Sequence, residues 1–597
     1  MRKSILTIIF LAWITATCFL TGCSNSNVMF RSDDVDAVFC IMQDTEVRAE
    51  HNDLLKLINI DGKTFDSTEG ITFAVQKGTT CIEPTGTNGI IRSNKVSENT
   101  STILTATKDG KSCRIRISVM KNCDFSYLSG MRDVYVPYGV TDIGWAFRER
   151  NIESIVIPST VMTIDDSAFN RCELLTSVSL PDTITKIGNN AFKFCKKLSD
   201  INIPKNIIEL GNGAFRQCSS IEKIAIPSSL DEVPAFAFYV CSSLREVSLP
   251  QSIKTIGKNA FGQCSNLQSV IIPDSVGIIE EWAFADCSSL KYVNLNKGLT
   301  GIYDSAFTGC KSLKQLIIPD TVKRVGEQSF SNCDSLTSIK LPITLEYGLE
   351  AFVGTSNIKS IEFTGKGSSC DFNASNYTCS PWYNSRKNKL SIKFNEGITQ
   401  IGKYYFVKCD GIEVLELPKS LKKIGYSSFR KCNKLKAVLM NENLKVIGDY
   451  AFSIDTALVN IKIPESVTSI GKGAFDACTS LIKIEIPNKV KTIGLRAFRG
   501  CNGLTKIELG TNGDSELEQI GEDAFAGQMS RCKIVKIHSK KVKEIGDRAF
   551  GSYVEFEDIE DEFFMANGAK IEAPESILSL FRAGYNYNDN YNDLVVK

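Results

Sequence analysis

The chain has 597 residues, 43% hydrophobic and 23% charged, and its 69 Lys and Arg against 68 Asp and Glu leave a formal net charge of +1. That balance excludes electrostatic capture of nucleic acid or of an anionic bilayer as the governing interaction. The 2 histidines, His51 and His538, lie far apart in sequence, which removes most zinc sites and every histidine-dependent triad.

Arg2 and Lys3 open the chain, and Ile5 to Leu20 form an uncharged apolar stretch. It is short for a membrane span, which takes about 20 residues, and fits the apolar region of an export signal. Leu20-Thr21-Gly22-Cys23 comes next, followed by the polar run Ser24-Asn25-Ser26-Asn27. Those four residues ending in Cys23 resemble the lipobox of bacterial lipoproteins. The resemblance implies a signal peptide over 1–22, lipidation of Cys23, a linker over 23–34, and an exported outer-membrane lipoprotein at the cell surface. An uncleaved anchor and an ordinary secretory signal are the alternatives.

Residues 35–120 lack the repeat that follows them. Ile103-Leu104-Thr105-Ala106-Thr107 and Cys113-Arg114-Ile115-Arg116-Ile117-Ser118-Val119 alternate around Asp109-Gly110-Lys111, which predicts a hairpin. With Ile71-Thr72-Phe73-Ala74-Val75, this hairpin resembles the bacterial immunoglobulin-like domains of surface proteins, implying a small all-β sandwich. Cys40, Cys81 and Cys113 leave an odd number here, so their pairing, and that of Cys123, stays open.

From about Cys123 to Phe550 the chain repeats every 23 residues. The repeat phenylalanines are Phe147, Phe169, Phe192, Phe215, Phe238, Phe261, Phe284, Phe307, Phe330 and Phe352, then Phe406, Phe429, Phe452, Phe475, Phe498, Phe525 and Phe550. A fixed period in this range predicts a solenoid, whose coils bury apolar side chains only against their neighbours. In the coil Cys241–Phe261, Leu244, Val247 and Leu249 read as a short strand stopped by Pro250, which cannot donate to a ladder. Ile253 and Ile256 turn back inward, and Ala260-Phe261 close the coil. This register resembles the BspA-like leucine-rich-repeat proteins, with Cys-x-x-Leu-x-x-Ile-x-Ile-Pro-x-x-Val-x-x-Ile-Gly-x-x-Ala-Phe as their repeat. The resemblance implies a solenoid with short parallel strands over 121–568, and an exported adhesin for host matrix or bacterial surface proteins.

Cys172, Cys195, Cys218, Cys241, Cys264, Cys287, Cys310, Cys333, Cys409, Cys432, Cys478 and Cys501 each lie three residues after a repeat Phe. Read chemically, the column is a metal or disulfide ladder. Read as packing, it is a row of small buried thiols whose Cβ atoms all point the same way, which opposes bridging. Asp455 and Gln528 hold the same register, which favours packing.

The period breaks between Phe352 and Phe406. Residues 366–388 are rich in Gly, Ser and Asn and predict a projecting loop. Cys370 and Cys379 could close a disulfide there, and Phe372, Tyr377, Trp382 and Tyr383 are hot-spot residue types. A neutral insertion whose aromatics fold back on the core is the competing reading.

Two side chains of each coil strand face away from the core. Among them Ile271, Tyr292, Gln315 and Ile317 fall within three adjacent coils and form a candidate docking patch for a protein. Ordinary β-propensity on a solvated face would also place isoleucines there. Near the end, the acidic run Glu555 to Glu562 has no calcium-loop spacing and reads as a solvated edge. Residues 569–597 read as a cap, with a last strand at Lys570–Pro574 and a short helix at Glu575–Arg582.

No phosphate loop, metal cluster or supported nucleophile stands out, so no cofactor or metal is expected. A carboxylate pair could serve a glycosidase, but a stack of coils offers no obvious pocket to tune one. The expected function is a non-catalytic, membrane-anchored adhesin for proteins. A glycan-binding lipoprotein of an uptake system, using Trp382 and the tyrosines, and a structural surface-layer protein are the alternatives.

Overall fold

The computed structural model describes residues 37–42, 46–48, 71–75, 82–85, 90–93, 100–109, 111–120, 132–369, 371, 382, 389–527, 531–552, 564–565, 570–581 and 594–596. The chain divides into two compact units, Met1–Leu267 and Gln268–Lys597.

In the first unit, strands Thr100–Lys108 and Lys111–Met120 pair antiparallel from Lys108 with Lys111 to Thr100 with Val119, as the alternation predicts. Leu104, Ala106 and Ile115 are buried. Ala37–Met42 adds in parallel to one side of this hairpin and Thr72–Val75 in antiparallel to the other. Glu46–Arg48, Ile90–Ser93 and Ile82–Thr85 form a separate three-stranded sheet.

Coils follow. Each contributes one strand of two or three residues to a first parallel sheet, here Asp133–Tyr135, Ser154–Val156, Ser177–Ser179 and Asp200–Ile201. A two-residue strand then joins a second parallel sheet, Asp142–Ile143, Thr163–Ile164, Lys186–Ile187 and Glu209–Leu210. The Ala-Phe turn completes the coil through a third row of backbone bonds: Phe169 N–H donates to Ala191 O at 2.7 Å and Phe192 N–H to Ala214 O at 2.8 Å. Parallel pairing one coil apart therefore satisfies the backbone on each side of the coil. The close approach also explains the glycine that ends the second strand, since a Cβ on Gly188 would lie 2.5 Å from Asp166 N.

Inside, the repeat phenylalanines stack almost parallel. Centroid separations run 5.2, 4.9, 5.3, 5.5 and 5.4 Å from Phe147 to Phe261. Leu244, Ile253, Ile256 and Ala260 are fully buried, while Val247 and Leu249 are half-buried. Two residues around each repeat Phe from Phe169 to Phe525 have left-handed backbone, for example Asn190 (φ 54°) and Phe194 (φ 63°) around Phe192. Such a pair reverses the chain tightly enough to close a coil of 23 residues, and turns the side chain at the second site outward.

The second unit repeats the scheme. Its Phe stack continues from Phe284 to Phe352 and from Phe406 to Phe550, with separations of 5.1–5.4 Å. The described residues of the broken coil keep the scheme. Strand Ser360–Thr364 pairs in parallel with Ser338–Pro342 and with Ser391–Phe394, 31 residues later. Trp382 fills the Phe slot, buried and stacked on Phe352 at 5.3 Å. At the end, Lys570–Ala573 extends the first sheet beside Ile534–Ile537, Leu594–Val596 pairs with it, and Glu575–Phe581 forms a 3-10 helix.

The Cys column is packing. All twelve are buried free thiols. Nearly all have Sγ directed at the carbonyl of the Phe one coil earlier, as in Cys195 to Phe169 at 3.1 Å and Cys333 to Phe307 at 3.4 Å. Burial pushes several of these thiols up, Cys218, Cys310, Cys432 and Cys478 among them, and Cys241 and Cys333 to about 12, which suppresses the reactive thiolate.

Candidate functional site

The strand sheet of the second unit carries the candidate site. In Ser269–Ile271, Tyr292–Asn294 and Gln315–Ile317, the central residues Val270, Val293 and Leu316 point into the core and are buried. Period-two alternation therefore turns both flanking residues outward. Ile271 is 70% exposed, Tyr292 63% and Ile317 59%, and Gln315 is exposed as well. These fractions decide that the apolar side chains are not part of the core.

Register fixes their neighbours. Ile271 stands beside Asn294, and Ser269 beside Tyr292. Gln315 stands beside Ser338, and Ile317 beside Lys340. Successive coils are about 4.8 Å apart, so Ile271 and Ile317 are about 10 Å apart with Asn294 between them. On one side the patch meets charge: Glu362 bridges Lys340 at 3.4 Å and Lys393 at 3.5 Å. Burial alone would raise the Glu362 carboxyl, but hydrogen bonds from Asn395 and Lys340 and the nearby lysine charges hold it below the usual range. Exposed apolar side chains interleaved with Asn294 and Gln315, and bordered on one side by paired charges, have the mixed character of a protein-binding surface.

Farther along the same unit, Val414 and Leu439 are also exposed, on strands paired as Val414 with Ala437 and Glu416 with Leu439. Later coils carry paired polar side chains there: Lys483–Glu485 at 3.6 Å, Lys506–Glu508, and His538 Nε2 at 3.2 Å from Glu508 Oε1. Outward apolar residues thus recur along the face, at Val414, Leu439 and Ile534 as well, with paired charges on coils between Leu439 and Ile534.

Trp382 corrects an expectation. It is not displayed on a loop but fully buried, packed against Phe352 and edge-on to Tyr347 and Phe363 at 6.0 Å each. The coil needs an aromatic in its Phe slot, and the insertion supplies it. Cys23, Cys370, Tyr377, Cys379 and Tyr383 lie outside the described residues, as does the acidic run 555–562. Among the described residues no group of three or more His, Cys, Asp or Glu could hold a metal ion. No described helix is long and apolar enough to cross a membrane.

Sequence reasoning overlooked a second outward surface, made by the turns. The residue after each Phe and the left-handed residue after that form two columns. In coils of the first unit they bring Arg171, Lys193, Phe194, Arg216 and Tyr239 together. Aligning the coils lists the residues of those two columns, but the left-handed turn that brings them together is not announced by residue type.

A family profile agrees with this architecture. The family profile described as BspA type leucine rich repeat region matches residues 88–176, 163–276, 254–380, 378–482 and 468–562. A leucine-rich repeat protein from Bacteroides ovatus is similar at 28% identity, covering 60% of this chain and 87% of its own, with a TM-score of 0.45. A leucine rich cell surface protein from Faecalibacterium prausnitzii is similar at 23% identity, covering 74% of this chain and 97% of its own, with a TM-score of 0.25. The pneumococcal vaccine antigen PcpA is similar at 15% identity, covering 84% of this chain and 98% of its own, with a TM-score of 0.28. A search of curated proteins found no match.

Proposed function

The chain belongs to the BspA-type leucine-rich-repeat family, and from that premise we propose that it is a non-catalytic cell-surface adhesin that recognises a protein through its strand face. The observation that carries this reading is the patch of Ile271, Tyr292, Gln315 and Ile317, three of them large apolar side chains left mostly in water. Exposed apolar residues on three successive strands of one sheet lower the cost of binding, because the surface is already ordered before a partner arrives. The partner that fits is a protein with an apolar anchor about 10 Å long, rimmed by polar groups, on host matrix or on a bacterial surface.

Lipidation at Cys23 belongs to the same proposal. Leu20-Thr21-Gly22-Cys23 supports it, and it would hold the solenoid at an outer membrane. Two or more acyl chains suffice for stable anchoring, at about 0.8 kcal/mol per buried methylene. The glycan alternative rested on Trp382 and the tyrosines Tyr377 and Tyr383; Trp382 is committed to the core, which removes one of its three aromatics and favours the protein reading.

An array of matrix and bacterial surface proteins, probed with the purified protein and with an Ile271→Glu, Ile317→Glu variant, tests the reading. We expect at least one protein to bind the parent and to lose about tenfold or more in affinity to the variant, the loss of ~1.4 kcal/mol or more expected of an interface anchor. Equal binding by a variant with unchanged circular dichroism would sink it. Equal palmitate labelling of parent and Cys23→Ala would sink the anchoring.

A further inference from the structure

The turn surface of the first unit carries cations that no carboxylate answers. Arg171 Cζ lies 5.2 Å from the centroid of the Phe194 ring, and Lys193 Nζ lies 5.3 Å from it. One coil later, Arg216 Cζ lies 5.3 Å from the Phe236 ring and 5.2 Å from Tyr239, and those two rings meet edge to face at 5.8 Å. The left-handed backbone at Arg171 (φ 64°), Phe194 (φ 63°) and Phe236 (φ 59°) is what turns these side chains onto one surface.

The local acids are taken. Glu149 pairs with Arg148 at 3.6 Å and Glu173 with Lys196 at 3.0 Å. Among the described residues Arg171, Lys193 and Arg216 make no ion pair at all. Burial, then the charges of Arg216 and Arg171, push the Lys193 ammonium below its usual range, so the cluster is both crowded and partly desolvated. Arg216 Nε is shut off from solvent without a hydrogen-bond partner among the described residues. Guanidiniums held within cation–π distance of aromatic rings keep N–H donors available on the side away from the ring.

We propose that Arg171, Lys193 and Arg216 form a binding site for the sulfate esters of a glycan. A weakly hydrated guanidinium on an aromatic ledge suits a singly charged, weakly hydrated ester better than the doubly charged phosphate, which surrenders water reluctantly. Asn170, one coil before Lys193 in the same column, has a side-chain oxygen without a partner among the described residues. That acceptor suits a sugar hydroxyl once the amide turns outward, and a hydroxyl beside a sulfate is what a sulfated sugar presents. Cations one coil apart give a polymer successive points of attachment. The site uses none of the strand-face residues, so either reading can fail without the other.

Dextran sulfate, neutral dextran, polyphosphate and a sulfotyrosine peptide are immobilised, and the full-length chain is titrated over each. The expected result is binding to dextran sulfate alone, weakening as salt rises, with Arg171→Gln, Arg216→Gln losing about tenfold or more in affinity. A control of equal charge change in the same unit, Lys223→Gln, Lys254→Gln, is expected to bind as the parent does. Thermal melting of both variants separates lost binding from lost fold. Absence of binding to dextran sulfate, an equal loss in both variants, or tighter binding to polyphosphate or to the peptide would overturn the proposal.

Discussion

The indole of Trp382 stacks on the ring of Phe352 with centroids 5.3 Å apart and planes 27° from parallel, taking the place that a phenylalanine holds in the other coils. Cys409 preserves the relationship one coil on, with Sγ 3.9 Å from Trp382 O where Cys432 faces Phe406 O at 3.2 Å. The break in the repeat is therefore a coil lengthened in sequence, and its described core is continuous with those beside it.

Trp382→Ala should open that coil. Removing a fully buried Trp costs about 3–5 kcal/mol, whereas Trp382→Phe keeps the stack and should cost about 1.5 kcal/mol or less. Hydrogen exchange of the strand amides Ser360–Thr364 and Ser391–Phe394 reads the difference. Equal protection in the alanine variant would contradict the role given to the indole.

Much of this fold could be read in the sequence because each structural role recurs at a fixed spacing. Phe, Cys and the strand alternation repeat with period 23, so the inward Val270 and outward Ile271 could be told apart without coordinates. Trp382 could not be placed, because Ser391 follows Ser360 by 31 residues, and the extra residues hide the column. One signal was present: Leu390 and Ser391-Ile392-Lys393-Phe394 follow Trp382 as a Leu and a strand follow each repeat Phe. The Arg171, Lys193 and Arg216 cluster stayed hidden for another reason. Their grouping depends on left-handed backbone at non-glycine residues such as Phe194, which residue type does not announce.

The thiol column should be chemically silent and alkali-sensitive. At pH 8 iodoacetamide should leave Cys241 and Cys333 unlabelled in the folded chain and label them after unfolding. Their folded pKa of about 12 stands above the 9.0 of a free thiol, so their contribution to stability is full below pH 9.0 and is lost as pH rises from there toward about 12. A Cys241→Ala, Cys333→Ala variant should show a shallower alkaline decline in melting temperature. A slope equal to the parent's would contradict this.

Asp455 sits in the same column, between Cys432 and Cys478 of the adjoining coils. Its Oδ1 accepts the Cys432 N–H at 2.8 Å, and its Oδ2 is buried with no partner among the described residues. Burial, then the neighbouring Cys478, raise its carboxyl well above the usual range. Stability from this group is full below its unfolded value of 3.8 and is lost as pH rises toward the raised folded value. Asp455→Cys should therefore stabilise the chain at pH 7 by about 1–3 kcal/mol, the cost of an unsatisfied buried polar group. The advantage should shrink as pH falls toward 4, read by denaturant titration at both pH values; a variant less stable than the parent at pH 7 would refute it.

A hydrogen-exchange footprint of the protein bound to a partner captured on the array tests the central claim most directly. The account predicts slowed exchange confined to the strands Ser269–Ile271, Tyr292–Asn294 and Gln315–Ile317 and the turns that join them. Protection elsewhere, with those strands exchanging as in the free protein, would contradict it.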